Sequence, residues 1–101
     1  MNESPLPIHV NKDAINDVSH AVRFYNHRMP GLGRAFLHEL AEQIRRIQKF
    51  PRGYPRIDTT RRRATLSRFP YVLVYRVSDI RIDIIGVCDC RADPAVPRDR
   101  K

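Results

Sequence analysis

Six arginines fall within seventeen residues and form the densest group of chemically useful side chains: Arg52, Arg56, Arg61, Arg62, Arg63 and Arg68. The planar guanidinium group suits carboxylates and phosphates, so this segment predicts a surface that binds phosphate or an acidic peptide. On a strand, Arg61 and Arg63 would point to one face and Arg62 to the other, which makes at least one face strongly positive. Charges on an exposed edge strand also discourage aggregation, and this second explanation stays open.

Other groups that could support catalysis or hold a metal are sparse. Cys88 and Cys90 could supply thiolates, but a structural zinc site needs four ligands and no second cysteine pair exists. His20 and His27 would lie two helical turns apart, too far for one ion. The sequence has no nucleophile elbow, zinc-protease motif or phosphate-binding glycine loop. We therefore predict no metal, no cofactor, no catalytic residues and two free thiols.

Length and composition favour one small globular domain over residues 1–101. The chain has a net charge of +8, and 16 of its 19 basic residues are arginine. This charge predicts an acidic partner, although a GC-rich coding sequence would also enrich arginine. The beginning of the sequence lacks a basic and then apolar leader, and no apolar run approaches the length of a membrane helix, so we expect a cytoplasmic protein. We expect residues 91–101, polar and rich in proline, to form a loose tail.

Hydrophobic periodicity predicts one short strand and then two helices. Ile8 and Val10 alternate with polar neighbours, as in a half-buried strand, and Asn11 or Asp13 can cap the helix that follows. The apolar face of that helix comprises Ala14, Ile15, Val18, Ala21, Val22 and Tyr25. The sequence "MPGLG" at 29–33 ends it. The apolar stripe of the second helix comprises Phe36, Leu37, Leu40, Ala41, Ile44 and Ile47.

After the prolines and glycine of residues 51–55, the pattern changes to three strands. They begin near Ile57, and Ser78 and Asp79 form a tight connection between the last two strands. The order β-α-α-β-β-β predicts an α+β fold with a helical hairpin on one face of a small antiparallel sheet. Residues 69–77 are apolar on both sides, which predicts a central strand whose second face the polar tail cannot cover. We expect that face to be half bare.

The order of these elements and several local phrases resemble the RelE/ParE superfamily of type II toxins, within it the ParE-like, plasmid-stabilisation branch. The matching phrases span most of the chain: "DAINDVSHAVRFY" (13–25), "MPGLGRAFLHEL" (29–40), "IRRIQKFPRGYP" (44–55), "RRRATLSRFPYVLVYRV" (61–77) and "CRADP" (90–94). The resemblance implies a growth-inhibiting toxin that an acidic antitoxin neutralises in a hetero-oligomer. Its antitoxin would wrap the helical hairpin and the sheet.

This resemblance implies roles for seven residues. Tyr71 and Tyr75 would offer an apolar bed to an antitoxin strand or helix. The arginines that would dock antitoxin carboxylates or the target are Arg61, Arg62, Arg63, Arg68 and Arg91.

Departures from the family pattern bear on the target. RelE-like members cut mRNA on the ribosome, commonly with an arginine where this chain has Val72 and a histidine where it has Asp89. Ala92 replaces a further arginine. Because these losses remove groups that could position a phosphate or exchange its proton, the ParE-like function is favoured, namely inhibition of DNA gyrase by binding. A RelE-type mRNA interferase remains the alternative, and a simple nucleic-acid-binding domain is a third reading.

Overall fold

A computed structural model describes residues 5–90. The elements along the chain are β1 (Ile8–Val10), α1 (Lys12–Arg28), α2 (Leu32–Lys49), β2 (Arg62–Thr65), β3 (Tyr71–Val77) and β4 (Ile82–Asp89). The predicted order β-α-α-β-β-β and the α+β fold are confirmed. The predicted strand from Ile57 starts only at Arg62, because residues 57–61 form a loop closed by Asp58 and Arg61.

The four strands form one sheet in the order β1-β4-β3-β2. The three consecutive strands pair antiparallel, as predicted, but β1 pairs parallel with β4, so the sheet is mixed. Parallel strands need a long connection between them. Here the chain runs from β1 through both helices to β2 at the opposite edge of the sheet, and it reaches β4, the partner of β1, only after β3. Asn11 continues this attachment, since its N–H donates to the carbonyl oxygen of Ile84 at 3.1 Å.

The helical hairpin begins and turns with specific local contacts. Asn11 caps α1, and its side-chain oxygen accepts a hydrogen bond from the N–H of Ala14 at 3.0 Å. Gly31 has a φ of 92°, a conformation that favours glycine. Gly33 lies so close to Asn26 that a Cβ at residue 33 would be only 2.8 Å from the side-chain amide of Asn26. The two glycines of "PGLG" therefore serve the turn and the close helix contact.

Aromatic rings join the hairpin to the sheet. The rings of Tyr25, Phe36, Phe69 and Tyr71 contact one another with centroid separations of 4.9 to 6.1 Å. Edge-to-face packing of this kind adds to the burial of apolar area. The core of the molecule therefore lies between the hairpin and one face of β3 and β4.

The predicted helix faces are correct in outline and wrong at particular residues. Ile15 is 53% exposed and Leu37 is 42% exposed, and Ala41 is also exposed. Glu39 and Gln43 take the buried positions on α2 because each has a partner in the β2–β3 region. Gln43 donates from Nε2 to the carbonyl oxygen of Thr65 at 3.2 Å, which satisfies a polar group that would otherwise be costly to bury.

The sheet face opposite the helices is not the half-bare apolar layer that the sequence predicts. Val74, on that face by alternation, and Ile85, at an irregularity in the β3–β4 register, are fully buried. The same face carries polar residues toward its ends, including the half-buried Arg76 and Asp83. The expectation of an open hydrophobic bed is therefore wrong at the centre of the sheet.

Candidate functional site

Two concave surfaces carry arginine side chains. The first, which we call the arginine pocket, has a volume of about 270 Å³. It is lined by Arg52, Arg56, Thr59, Thr60, Arg62, Arg76, Val77, Ser78 and Asp83. It lies where the loop after α2 meets the start of β2 and the end of β3. Three of its four arginines belong to the cluster predicted from sequence, and the fold adds Arg76.

The charges of the arginine pocket are only lightly compensated. Arg62 is held in place because its Nη1 donates to the carbonyl oxygen of Tyr54 at 2.8 Å. Arg52 lies 3.7 Å from the carboxylate of Asp79, a pair exposed to solvent and therefore weak. Within residues 5–90, Arg56 and Arg76 form no ion pair.

The one carboxylate in the pocket lining, Asp83, is already engaged. Its oxygen lies 3.0 Å from Nε of Arg81, which is outside the lining. Three hydroxyl groups contribute polar atoms to the wall. Ser78 Oγ accepts hydrogen bonds from the N–H groups of Ile80 and Arg81, which fixes the turn between β3 and β4. The pocket can therefore offer several guanidinium forks to an anion.

Arg61 is a structural residue. Its side chain is only 8% exposed, and its Nε and Nη2 donate to one oxygen of Asp58 at 2.9 and 2.7 Å. The other oxygen of Asp58 accepts hydrogen bonds from the N–H groups of Thr60 and Arg61. These hydrogen bonds, with that from the Arg61 side chain the largest, hold the pKa of Asp58 well below its usual value. Arg61 thus closes the loop before β2 and does not present its charge to a ligand.

The other predicted arginines lie apart from one another. Arg63 is exposed on β2, the edge strand, where its backbone N–H donates to the carbonyl oxygen of Pro55. Arg68 is exposed in the β2–β3 connection, with Nε 3.5 Å from the carboxylate of Glu39. Arg91 lies outside the described residues. The predicted cluster therefore divides among the pocket, an edge strand and the second surface.

The second surface, which we call the apolar groove, has a volume of about 480 Å³. It is lined by Phe24, Tyr25, Arg28, Leu32, Ala35, Arg68, Phe69 and Pro70. It lies between the end of α1, the start of α2 and the β2–β3 connection. Phe24 is 44% exposed, and the guanidinium carbon of Arg28 lies 5.4 Å from its ring centroid. Such a contact keeps a cation beside the apolar wall.

A buried carboxylate fixes the wall of the groove on the sheet side. Glu39 accepts hydrogen bonds from the backbone N–H groups of Ser67 and Arg68. Burial acts to raise the pKa of Glu39, but these hydrogen bonds and the nearby Arg68 guanidinium outweigh it, so the pKa is lowered. The ionised Glu39 therefore holds the backbone of the segment that carries Arg68 and Phe69.

Tyr71 and Tyr75 do not form an accessible bed. Tyr71 is 8% exposed and Tyr75 is fully buried, and both lie in the core cluster. The hydroxyl of Tyr75 donates to the carbonyl oxygen of Pro51, and burial raises the pKa of Tyr75 to about 12. The alternation of β3 directs both rings toward the helices, so their expected contact with a partner would require the core to open.

Residues 5–90 contain no group of three or more histidine, cysteine or acidic residues suited to a metal ion. Cys88 and Cys90 are half-buried, and neither forms a disulfide, as predicted. In the same part of the chain, no helix combines the length and apolar character needed to cross a bilayer.

Sequence reasoning missed Phe24, Arg28 and Arg76. The first two had a usable signal, because residues four apart on a helix lie side by side. The sequence signal for Arg76 was weaker: it is a charged residue near the end of an apolar strand. Only the fold shows that it meets the loop after α2.

Comparison with known proteins identifies the fold. No protein-family model matches this sequence, and no curated protein matches it. Among solved structures, the chain is similar to one from the structure titled "Chromosomal ParDE TA system from P. aeruginosa", with 20% sequence identity and a TM-score of 0.74. The match covers 83% of this chain and 95% of the other. Two helices on a four-stranded mixed sheet therefore form a ParE-like α+β fold, as the resemblance implied.

Proposed function

We propose that this chain is the toxin of a type II toxin–antitoxin pair, that it inhibits DNA gyrase by binding, and that an acidic antitoxin neutralises it in a hetero-oligomer. The observation that carries the proposal is the apolar groove with Arg28 and Arg68 at its rim. The likeness to a chain of a ParDE TA system supports it. We place its action in the cytoplasm, where gyrase works.

The groove suits an amphipathic acidic segment. Its aromatic and aliphatic walls would take apolar side chains at helical or strand spacing. Arg28 and Arg68 are exposed and would meet carboxylates at the rim, where complementary charge speeds association and fixes orientation. A net charge of +8 on the chain attracts such a partner from a distance.

Binding is favoured over RNA cleavage by the groups around the arginine pocket. General acid–base catalysis needs a titratable group within hydrogen-bond reach of the reacting atoms. Asp83, the carboxylate of the pocket lining, is paired with Arg81, and no histidine lies in that lining. Tyr75 does not line the pocket, and its hydroxyl donates to the carbonyl oxygen of Pro51 inside the fold. These features support an inhibitor that acts through its surface.

The cellular test is induction of the chain followed by three readouts: growth, SOS induction and transcript integrity. We expect arrested growth, SOS induction and intact transcripts, because gyrase poisoning damages DNA without cutting mRNA. Codon-specific cuts in primer extension, without SOS induction, would replace this proposal with the RelE-type interferase. Co-expression with the product of a neighbouring reading frame should restore growth. Failure of both neighbours to bind the chain or restore growth would contradict the antitoxin part.

A nucleic-acid-binding domain would behave differently in solution. Binding to bare DNA or RNA would weaken steeply with salt, since neutralised phosphates release counterions. We expect weak, sequence-independent binding that does not account for growth arrest. Tight and sequence-selective binding to either nucleic acid would favour this third reading.

A further inference from the structure

The arginine pocket contains more positive charge than the acidic residues around it neutralise. Its four guanidinium groups come from three separate segments and converge on one cavity of about 270 Å³. Like charges brought together repel one another, and a structural role would normally pair them with carboxylates. Asp83 is already bound to Arg81, and the contact of Arg52 with Asp79 is long and exposed. The cavity is therefore prepared for an anion.

The lining indicates what kind of anion would fit. Sites for drug-sized ligands usually span about 300–1,000 Å³ and are mostly apolar, whereas this cavity is smaller and its wall is mainly arginine and hydroxyl groups. No aromatic ring lines it, so it offers no stacking platform for a base. The ligand group should be small, polar and highly charged.

We propose that the arginine pocket binds a diphosphate group, either free or at the end of a nucleotide. Each guanidinium can donate two parallel hydrogen bonds to a phosphoryl group, and the four positive charges exceed the roughly two negative charges of a single phosphate near pH 7. Arg62, fixed by its bond to the carbonyl oxygen of Tyr54, gives the site a preorganised donor. Arg56 and Arg76, without ion pairs within residues 5–90, supply the charges that remain to be satisfied. The proposed site shares no residue with the apolar groove and goes beyond the toxin function.

Titration calorimetry of the whole chain with inorganic pyrophosphate at constant ionic strength tests the proposal. The double variant R56Q/R76Q should weaken binding by about tenfold or more, because two charge-assisted contacts are lost. R23Q/R34Q is the matched control, since both residues are exposed on helices outside the pocket and the net charge falls by the same amount. This control should stay within about twofold of the wild type, as expected for remote screened charge.

Further measurements distinguish free diphosphate from a nucleotide as the ligand and define the results that would contradict the proposal. Equal affinities for pyrophosphate and ADP would show that the group alone is recognised, and tighter binding of both ADP and GDP would assign it to nucleotides. R56Q alone, at an exposed residue, repeats the test if the half-buried Arg76 proves necessary for folding. The proposal is overturned if pyrophosphate does not bind, if R23Q/R34Q loses as much affinity as R56Q/R76Q, or if hexaglutamate competes equally well.

Discussion

The apolar groove and the arginine pocket both carry arginine, but they differ in what lies beneath it. In the groove, Arg28 and Arg68 stand at the rim of an aromatic floor and are held by Phe24 and Glu39. In the pocket, four of the nine lining residues are arginine, and only one is an acid. In our proposals, the same side chain would steer a macromolecular partner at one surface and bind a small anion at the other. Which role it takes depends on its surroundings in the fold.

The largest expected effect is in the aromatic core beneath the groove. Phe36 is fully buried and contacts the rings of Tyr25 and Phe69. Phe36→Ala should lower the free energy of unfolding by about 3–5 kcal/mol, because it leaves a cavity among the rings. Phe24→Ala at the exposed wall should cost about 1 kcal/mol or less. Urea unfolding of both variants measures the contrast, and equal losses would contradict the assignment of Phe36 to the core and of Phe24 to the exposed wall of the groove.

The next effect separates the two surfaces in partner binding. R28Q/R68Q should weaken the complex with the proposed antitoxin by about tenfold, because two rim charges would no longer meet its carboxylates. R56Q/R76Q and R23Q/R34Q remove the same charge elsewhere and should change this affinity much less. Surface plasmon resonance at low and physiological salt measures all three. Similar losses in the three variants would mean that net charge, and not the groove, selects the partner.

Glu39 gives the groove a stability that depends on pH. Its pKa is lowered in the folded chain from an ordinary value of 4.5, so its stabilising effect is complete above that value and is lost as the pH falls through the folded pKa. Glu39→Gln should cost about 1–2 kcal/mol at pH 7, through weaker hydrogen bonds to Ser67 and Arg68. The difference from the wild type should shrink at pH 3. Urea titrations at both pH values decide this, and a difference that grows on acidification would contradict it.

The smallest effect concerns the exposed partner of Arg52. Asp79→Asn removes the 3.7 Å contact with a fully exposed carboxylate, so the melting temperature should not change resolvably. Pyrophosphate affinity should rise slightly, since one nearby negative charge is gone. A clear loss of stability would mean that this pair holds the pocket together.

The sequence predicts the elements well because local periodicity and caps determine them. Asn11 caps α1 as one of two expected residues, and the turn at "PGLG" follows from its glycines. The parallel partner of β1 could not be predicted, because three residues contain too little pattern to specify an edge. The exposure of Ile15 and the burial of Glu39 likewise depend on contacts with distant segments.

The candidate sites were predicted less well, for a related reason. Proximity along the chain suggested one arginine surface, but Asp58 binds Arg61 locally and removes it from the set. The β2–β3 connection carries Arg68 to the groove, while β3 brings Arg76 to the pocket. Tyr71 and Tyr75 were expected at a binding surface, yet their alternation places them beneath the helices. The sequence shows which residues are charged or apolar, but it does not show which residues the fold brings next to them.

The most direct test of the central claim is a supercoiling assay with purified gyrase and the purified chain. We expect the chain to inhibit ATP-dependent supercoiling, and the neutralising partner to restore it. The partner should restore activity poorly when R28Q/R68Q is the inhibitor, and fully when R23Q/R34Q is. Unchanged supercoiling at any concentration of a folded chain would contradict the proposed target, and full rescue of R28Q/R68Q would contradict the role of the groove.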